Sequence, residues 1–451
     1  EKYQAEGKVV SGVYDNGFVR LEKQDLYNIE KGAPISHSRS EDAYSRASSY
    51  VVGSKKKFYV KDGLGWKTKD GELLVQGEYC NFWIDKNCLK DTSVRNNDNY
   101  ITKKQIEQLA DKFDIVYPYI TNVFGEKHSS DEEYIIKPQD KVSVFLHDLE
   151  DDYSCDQSGG VVGYFMPYDM YEGLENSNEL ELFHIDVHFV DVWQDLTFST
   201  LAHEFQHMLH YVQKDYTQPD ENLCMNEMMS LLCEDMVQQI LDLDDSSSPK
   251  SRISEFITSY YKDNTFSWTG ETVDYATAYT FGAWLLRNYG GIELLQAMAY
   301  SGADVYGEDT IETAIKTLYD VEITVMELYE EFVLATIVPF LDENKANDYG
   351  LTTLNKEIQN TINGYTYTLT PIDLTSYVGV SDWNNVTNGL FCFGGPGSYD
   401  NYGNMFALGL NRGSFVVQKI SDLSRDITLH FNEIPNNLSD EMYGKVYLFV
   451  W

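Results

Sequence analysis

The period of apolar positions changes several times along this chain, and each change predicts an element. Short runs at Lys8-Val9-Val10 and Gly17-Phe18-Val19-Arg20-Leu21 alternate as strands do. A polar stretch over residues 36–49 reads as a linker or exposed loop. Strands are expected again at 57–60 and 79–85. After a loop at 95–99, a helix is expected over 102–123, with Leu109, Phe113, Val116, Tyr117 and Ile120 on its apolar face. Further strands are expected at 141–146, 159–166 and 181–190. Two long helical runs then cover about 197–214 and 222–242. A polar break at 242–250 precedes a mostly helical stretch, 253–338, which includes 275–289 and 325–335. Beyond residue 346, β-formers, turns and glycine dominate, and strands are expected at 416–420, 427–431 and 446–450.

This order of periods predicts an α+β fold with no internal repeat. We divide it into an N-terminal β region (residues 1–50), an α+β domain (51–345) and a C-terminal β-sandwich-like domain (346–451). A chain of 451 residues is long enough for two or three domains. Its 43% hydrophobic content is that of a globular protein, not a disordered one.

Charge narrows the partners. Against 34 Lys and Arg stand 72 Asp and Glu, a formal charge of −38, which argues against nucleic acid and anionic membrane surfaces. Such a balance suits a protein facing the outside of a cell, or one binding calcium at its surface. No run reaches the 18 or so apolar residues a membrane span needs. The chain opens at Glu1 without Met or a signal peptide, so we read it as a processed or truncated form of an extracellular or cell-surface protein, its export segment absent from this sequence. None of the six cysteines forms a CxxC pair, which argues against a thiolate metal site. Cys80 and Cys88 could close a short loop if their side chains face each other.

The chemistry concentrates at His203-Glu204-Phe205-Gln206-His207, an HExxH run inside the first long helix. Residues four apart share a helix face, so both imidazoles can close on one metal ion, with Glu204 beside them to take a proton from an activated water. The apolar neighbours Leu201, Ala202, Phe205, Met208 and Leu209 mark a buried helix. Twenty residues after His207, Glu227 in Asn226-Glu227-Met228-Met229-Ser230 offers a third ligand from the second helix, leaving a fourth position open. The alternative HExxHxxGxxH pattern fails, because positions 210 and 213 are His210 and Gln213. His210 is expected to be structural or exposed. Two histidines and one glutamate in this arrangement predict a zinc peptidase.

Around that set the signals weaken. The oxyanion of a tetrahedral intermediate needs a donor. Tyr275 is the candidate and Tyr279 its neighbour, in a chain with 34 tyrosines. Glu234 returns to the Glu227 face after seven residues and is a candidate to hold a ligand imidazole through its other nitrogen, while Asn226 and Ser230 could orient Glu227 or its neighbours. His184, Asp186 and His188 alternate on one expected strand face and could mimic a separate metal site. The acidic runs 148–152 and 242–245 lack the spacing of a calcium loop, so calcium is a candidate without support and solvated loops are the default.

The segments Thr200-Leu201-Ala202-His203-Glu204-Phe205-Gln206-His207-Met208-Leu209 and Asn226-Glu227-Met228-Met229-Ser230, with Cys233-Glu234-Asp235 close behind, resemble the gluzincins, the thermolysin-like zinc peptidases, and more narrowly the hyicolysin family of bacterial extracellular metallopeptidases. Weaker likeness at 113–118, Phe124-Gly125, Gly163-Tyr164-Phe165 and 275–289 extends it over roughly residues 80 to 335. The resemblance implies a thermolysin-like zincin domain, a mixed sheet with an HExxH helix and a helical subdomain. It further implies His203, His207 and Glu227 as zinc ligands, Glu204 as general base, and the strand around residues 160–165 as the edge along which an extended peptide substrate pairs. One departure stands out. Thermolysin-like enzymes often place an Asp four residues after the glutamate ligand, bonded to a ligand histidine, and here that position is Leu231.

The expected activity is therefore that of a secreted or surface-attached zinc metalloendopeptidase acting on proteins or peptides. An aminopeptidase needs an anchor for the substrate amine, and no GxMEN-like segment precedes His203. The alternative from another class is a surface binding protein or adhesin with a structural or relict zinc site. Glu204 argues against it, since a structural site has no use for a base. The ligand of the C-terminal region is not legible.

Overall fold

The computed structural model describes residues 14–18, 50–62, 65–90, 101–127, 135–136, 139–149, 160–214, 223–259, 268–341 and 353–377. The strands expected at 8–10, 416–420, 427–431 and 446–450 lie outside them.

Seven strands form one mixed sheet: β1 (Tyr14–Phe18), β2 (Lys55–Asp62), β3 (Gly65–Gln76), β4 (Cys80–Asp85), β5 (Val142–His147), β6 (Gly160–Phe165) and β7 (Leu182–Asp186). Their spatial order is β1-β6-β7-β5-β4-β3-β2. β4, β5 and β7 run parallel, while β2–β3–β4 form an antiparallel meander at one side and β6 is antiparallel to β7 at the other. β4, β5 and β7 are buried along their whole length, as parallel strands covered on both faces must be. β3 was not expected from the sequence. Only its second half alternates toward the core, and its first half, Trp66-Lys67-Thr68-Lys69-Asp70, is a largely solvated arm paired with β2.

Among the described residues are nine helices: α1 (Lys103–Phe124), α2 (Val187–Val192), α3 (Gln194–Gln213), α4 (Leu223–Leu241), α5 (Ile253–Ser259), α6 (Thr272–Asn288), α7 (Ile292–Ala299), α8 (Glu308–Tyr319) and α9 (Val325–Leu341). The protein is thus α+β, a mixed sheet with several helices. α1 starts at a reciprocal cap. The Thr102 hydroxyl accepts from the Gln105 backbone N–H at 3.3 Å, and the Gln105 side chain accepts from the Thr102 N–H at 2.8 Å.

Three expectations are corrected here. The strand read over 181–190 ends at Asp186, whose carboxylate accepts the His188 N–H at 2.6 Å and opens α2. His184, Asp186 and His188 therefore do not share a strand face. The strand at 160–165 is not an edge among the described residues, because β1 pairs with it in parallel. The cysteine loop does not form either, since Cys80 and Cys88 are buried free thiols.

The packing that matters most fixes α3. Phe205 lies against Phe113 and Tyr117 of α1, with ring centroids 5.2 and 5.1 Å apart, so a full aromatic contact joins the two helices. On the sheet side, Gly163 of β6 makes room for α3. A Cβ there would sit 3.0 Å from Thr200 Cγ2 and 2.8 Å from Ile185 Cδ1. α4 packs on α3, and α6 on α4, where a Cβ on Gly282 would meet Met228 at 2.8 Å. A hairpin of β8 (Ile358–Ile362) and β9 (Tyr365–Leu369) closes over the helices, with Tyr367 buried and its hydroxyl accepting from Asn122 at 2.7 Å.

Candidate metal centre

α3 and α4 cross so that His203, His207 and Glu227 converge. All three are buried, and one potential ligand atom from each lies within 4.8 Å of the others. Helical spacing alone sets the first pair, whose rings stand 4.6 Å apart at 82°. The approach of α4 adds the carboxylate: Glu227 Oε2 lies 3.2 Å from His203 Nε2 and 3.5 Å from His207 Nε2.

Each imidazole is held from behind. His203 Nδ1 donates to Glu234 Oε1 at 2.8 Å, and Ser199 donates to the other oxygen of Glu234. His207 Nδ1 lies 2.9 Å from both Asn226 Oδ1 and the Ser230 oxygen, and the Ser230 hydroxyl donates to Gln206 Oε1. With both Nδ1 atoms engaged, both Nε2 atoms turn toward Glu227, which fixes the ring orientation a metal ligand requires. The spacing fits. An ion with bonds of about 2.0–2.1 Å in a tetrahedral set holds its ligand atoms about 3.3 Å apart.

Electrostatics agree with the geometry. Burial disfavours a charged His203, but hydrogen bonds to Glu227 and Glu234 outweigh it, and its pKa is pushed up to about 10. Burial keeps His207 below the ordinary imidazole value despite the nearby Glu227. Burial alone would raise Glu227, yet the two imidazoles bring it down to about 2. The two histidines thus shift in opposite directions, because Glu234 and Glu227 both hydrogen-bond to His203 while burial prevails at His207.

Glu204 follows His203 on α3, is completely buried, and acts on His203 through its charge. Sequence reasoning found Glu234 by its seven-residue return to the Glu227 face. It missed Ser199, although Ser199 stands four before His203 and so shares its face. Asn226 and Ser230 hold His207, not Glu227. Leu231 is buried apolar packing, and Glu234 provides the carboxylate on the His203 imidazole instead.

Tyr275 stands in the first turn of α6, which is held to the preceding turn by Asp274 accepting from Thr269 and Gly270 N–H groups at 2.6 and 2.8 Å. Its ring meets Trp268 edge-on at 4.6 Å and carries the Arg252 guanidinium over its face at 4.7 Å. Tyr279 and His210 are buried. His184 is engaged elsewhere, with Nε2 on Asp169 at 2.9 Å and Nδ1 on His147 Nε2 at 3.1 Å. Among the described residues, His203, His207 and Glu227 are the group that could hold a metal ion.

Fold and site together define a class, an α+β protein with a buried group of two histidines and one glutamate that could hold a metal ion. The chain is 27% identical over 269 residues to the neutral metalloprotease ShpI of Staphylococcus hyicus, covering 54% of this chain and 56% of that protein. The resemblance expected from the motifs is thus found, and the chain spans about half the length of the curated relative it matches. No protein-family model matches the chain. Among the described residues, no helix is long and apolar enough to cross a membrane.

Proposed function

We propose that this chain is a zinc-dependent endopeptidase of the gluzincin type, acting on proteins or peptides outside the cell or at its surface. The observation that carries the reading is the convergence of His203 Nε2, His207 Nε2 and Glu227, with both imidazoles tethered through Nδ1. The likeness to a neutral metalloprotease supports it from an independent direction.

In this reading His203, His207 and Glu227 hold the zinc. Zinc, when bound, supplies Lewis acidity that activates a water and polarises the scissile carbonyl. Glu204 takes the proton from the attacking water and passes it to the leaving amine. Its burial keeps it out of bulk solvent, so the proton it takes is held for the leaving group. Glu234 and Asn226 fix the imidazoles, so neither ring must reorient during turnover. Tyr275 is the proposed donor to the developing oxyanion. It has an aromatic ring fixed by Trp268 and Arg252. Residues 51–345 form the catalytic domain in this reading, of thermolysin-like zincin type. Residues 1–50 contribute β1 to its sheet and residues 346–451 the β8–β9 hairpin over its helices, and the remainder of each is proposed as a β region and a β-sandwich-like domain.

The test compares wild type with Glu204→Gln on an unfolded protein substrate, with zinc content measured on both. Hydrolysis in the wild type and at least a roughly hundredfold loss in a variant that keeps one zinc is the expected result. Zinc in both samples and hydrolysis in neither would overturn the peptidase reading and favour a binding protein.

A further inference from the structure

The backbone edge of β6, expected to pair with an extended peptide, is already taken by this chain. β1 runs parallel to it, with Tyr14 opposite Gly160, Asn16 opposite Gly163 and Phe18 opposite Phe165. On its other side β6 is joined to β7, so among the described residues β1 is what separates β6 from an open edge. The location is close to the site. β6 and β1 both lie against α3, and the residue that Gly163 admits, Thr200, stands one turn before His203 and Glu204.

The pairing is also of a kind that can be given up. β1 has five residues, and its register slips between Asp15 and Asn16. Three of the five, Asp15, Asn16 and Gly17, are poor strand formers. Backbone pairing at a sheet edge depends little on sequence, so another extended chain can replace it.

We propose that residues 14–18 are a built-in occupant of the peptide-pairing edge, and that this chain restrains its own activity until β1 leaves β6. The inference rests on the peptidase reading above. An edge open in a tenth of molecules or fewer weakens apparent substrate binding by about tenfold or more, because affinity scales with the competent fraction.

The test uses the full chain, loaded with zinc. Gly17→Pro and, separately, Asn16→Pro weaken β1 by constraining the chain and, at whichever of the two N–H groups faces β6, by removing a backbone donor, and neither position is in the metal-holding group. On an unfolded protein substrate, either variant should raise kcat/KM about tenfold, mainly through KM. A fluorescent synthetic peptide of residues 10–22 should bind the Glu204→Gln/Gly17→Pro protein and bind Glu204→Gln alone at least about tenfold more weakly. It should also inhibit Gly17→Pro competitively. Unchanged kcat/KM in both proline variants, or equal peptide binding with and without Gly17→Pro, would overturn the proposal and leave β1 a structural strand. If no variant hydrolyses anything, the peptidase reading fails, while peptide binding to the Glu204→Gln proteins still decides whether β1 blocks the edge.

Discussion

At the scale of single residues, the candidate centre is organised by the groups behind its two imidazoles. Glu234 is buried, accepts from His203 Nδ1 at 2.8 Å and takes the hydroxyl of Ser199 on its other oxygen. Partners of this kind typically hold about 10–100-fold of metal affinity. Glu234→Ala should therefore weaken zinc binding about 10–100-fold in a chelator-competition titration, with Ser199→Ala a smaller loss in the same direction. A change under about twofold for Glu234→Ala would show that His203 needs no such partner. His203 and His207 were legible because one helical turn puts them on a common face, whatever surrounds the helix, and Glu204 because it stands next to His203 in the same run. The pairing of Asn226 and Ser230 with His207 was not, because it depends on how closely α4 approaches α3.

At the scale of elements, α4 has to be held in register, since it carries Glu227, Asn226 and Glu234 together. Arg287 of α6 does part of this. Its guanidinium donates to Asp235 at 2.8 Å and to the Thr370 carbonyl at 2.7 Å, joining α4, α6 and the chain after β9. Removing one member leaves the other charge buried and unpaired, which costs about 3–5 kcal/mol. Arg287→Ala should lose that much in denaturant unfolding, and a loss below about 1 kcal/mol would mean that Asp235 finds water or another partner. Asp245, after α4, joins the same elements more weakly. It accepts from Gln238 at 3.0 Å and Tyr377 at 2.9 Å, and it lies 3.4 Å from Lys250. Partial burial raises its pKa, but these partners outweigh that and hold it below the ordinary carboxylate value. A depressed folded pKa gives stability that is present above the unfolded value and lost as pH falls through the folded one. The melting temperature of the wild type should thus exceed that of Asp245→Asn at about pH 7, by the small amount a half-exposed group provides, and the gap should close as pH falls below the ordinary carboxylate range. A gap that is constant with pH would rule out the charge as its cause. Helix α1 was legible from its periodicity. The arm of β3 was not, because its solvated half lacks the alternation that marks a strand facing a core.

At the scale of the whole molecule, the group that could hold a metal ion comes from two helices, so an ion bound there would join α3 to α4 in the folded state alone. By mass action, zinc at about 1,000 times its Kd adds about 4 kcal/mol of stability. Chelation should lower the melting temperature by several degrees and zinc should restore it, in calorimetry of the wild type and of Glu204→Gln alike. The same midpoint with and without chelator would show that the His203–His207–Glu227 group does not hold zinc. The ordering of strands is also a property of the whole. β1 reaches β6 from a distant part of the chain, and no local pattern announces that pairing.

Sequence by itself determined what one helical turn or one strand can dictate. It placed two imidazoles and a carboxylate on one turn of the HExxH helix, a glutamate on the next helix, the α+β order of elements, and a strongly acidic charge balance. Those follow from local periodicity and from charge, which need no distant neighbour. Tertiary structure decided the rest: that Glu227 meets both Nε2 atoms, that Glu234 and Asn226 stand behind the rings, that Asp186 ends a strand where alternation continued, and that β1 covers β6. Each of these depends on residues far apart in the chain being packed to within hydrogen-bond distance, and packing is settled by the shape of the core as a whole.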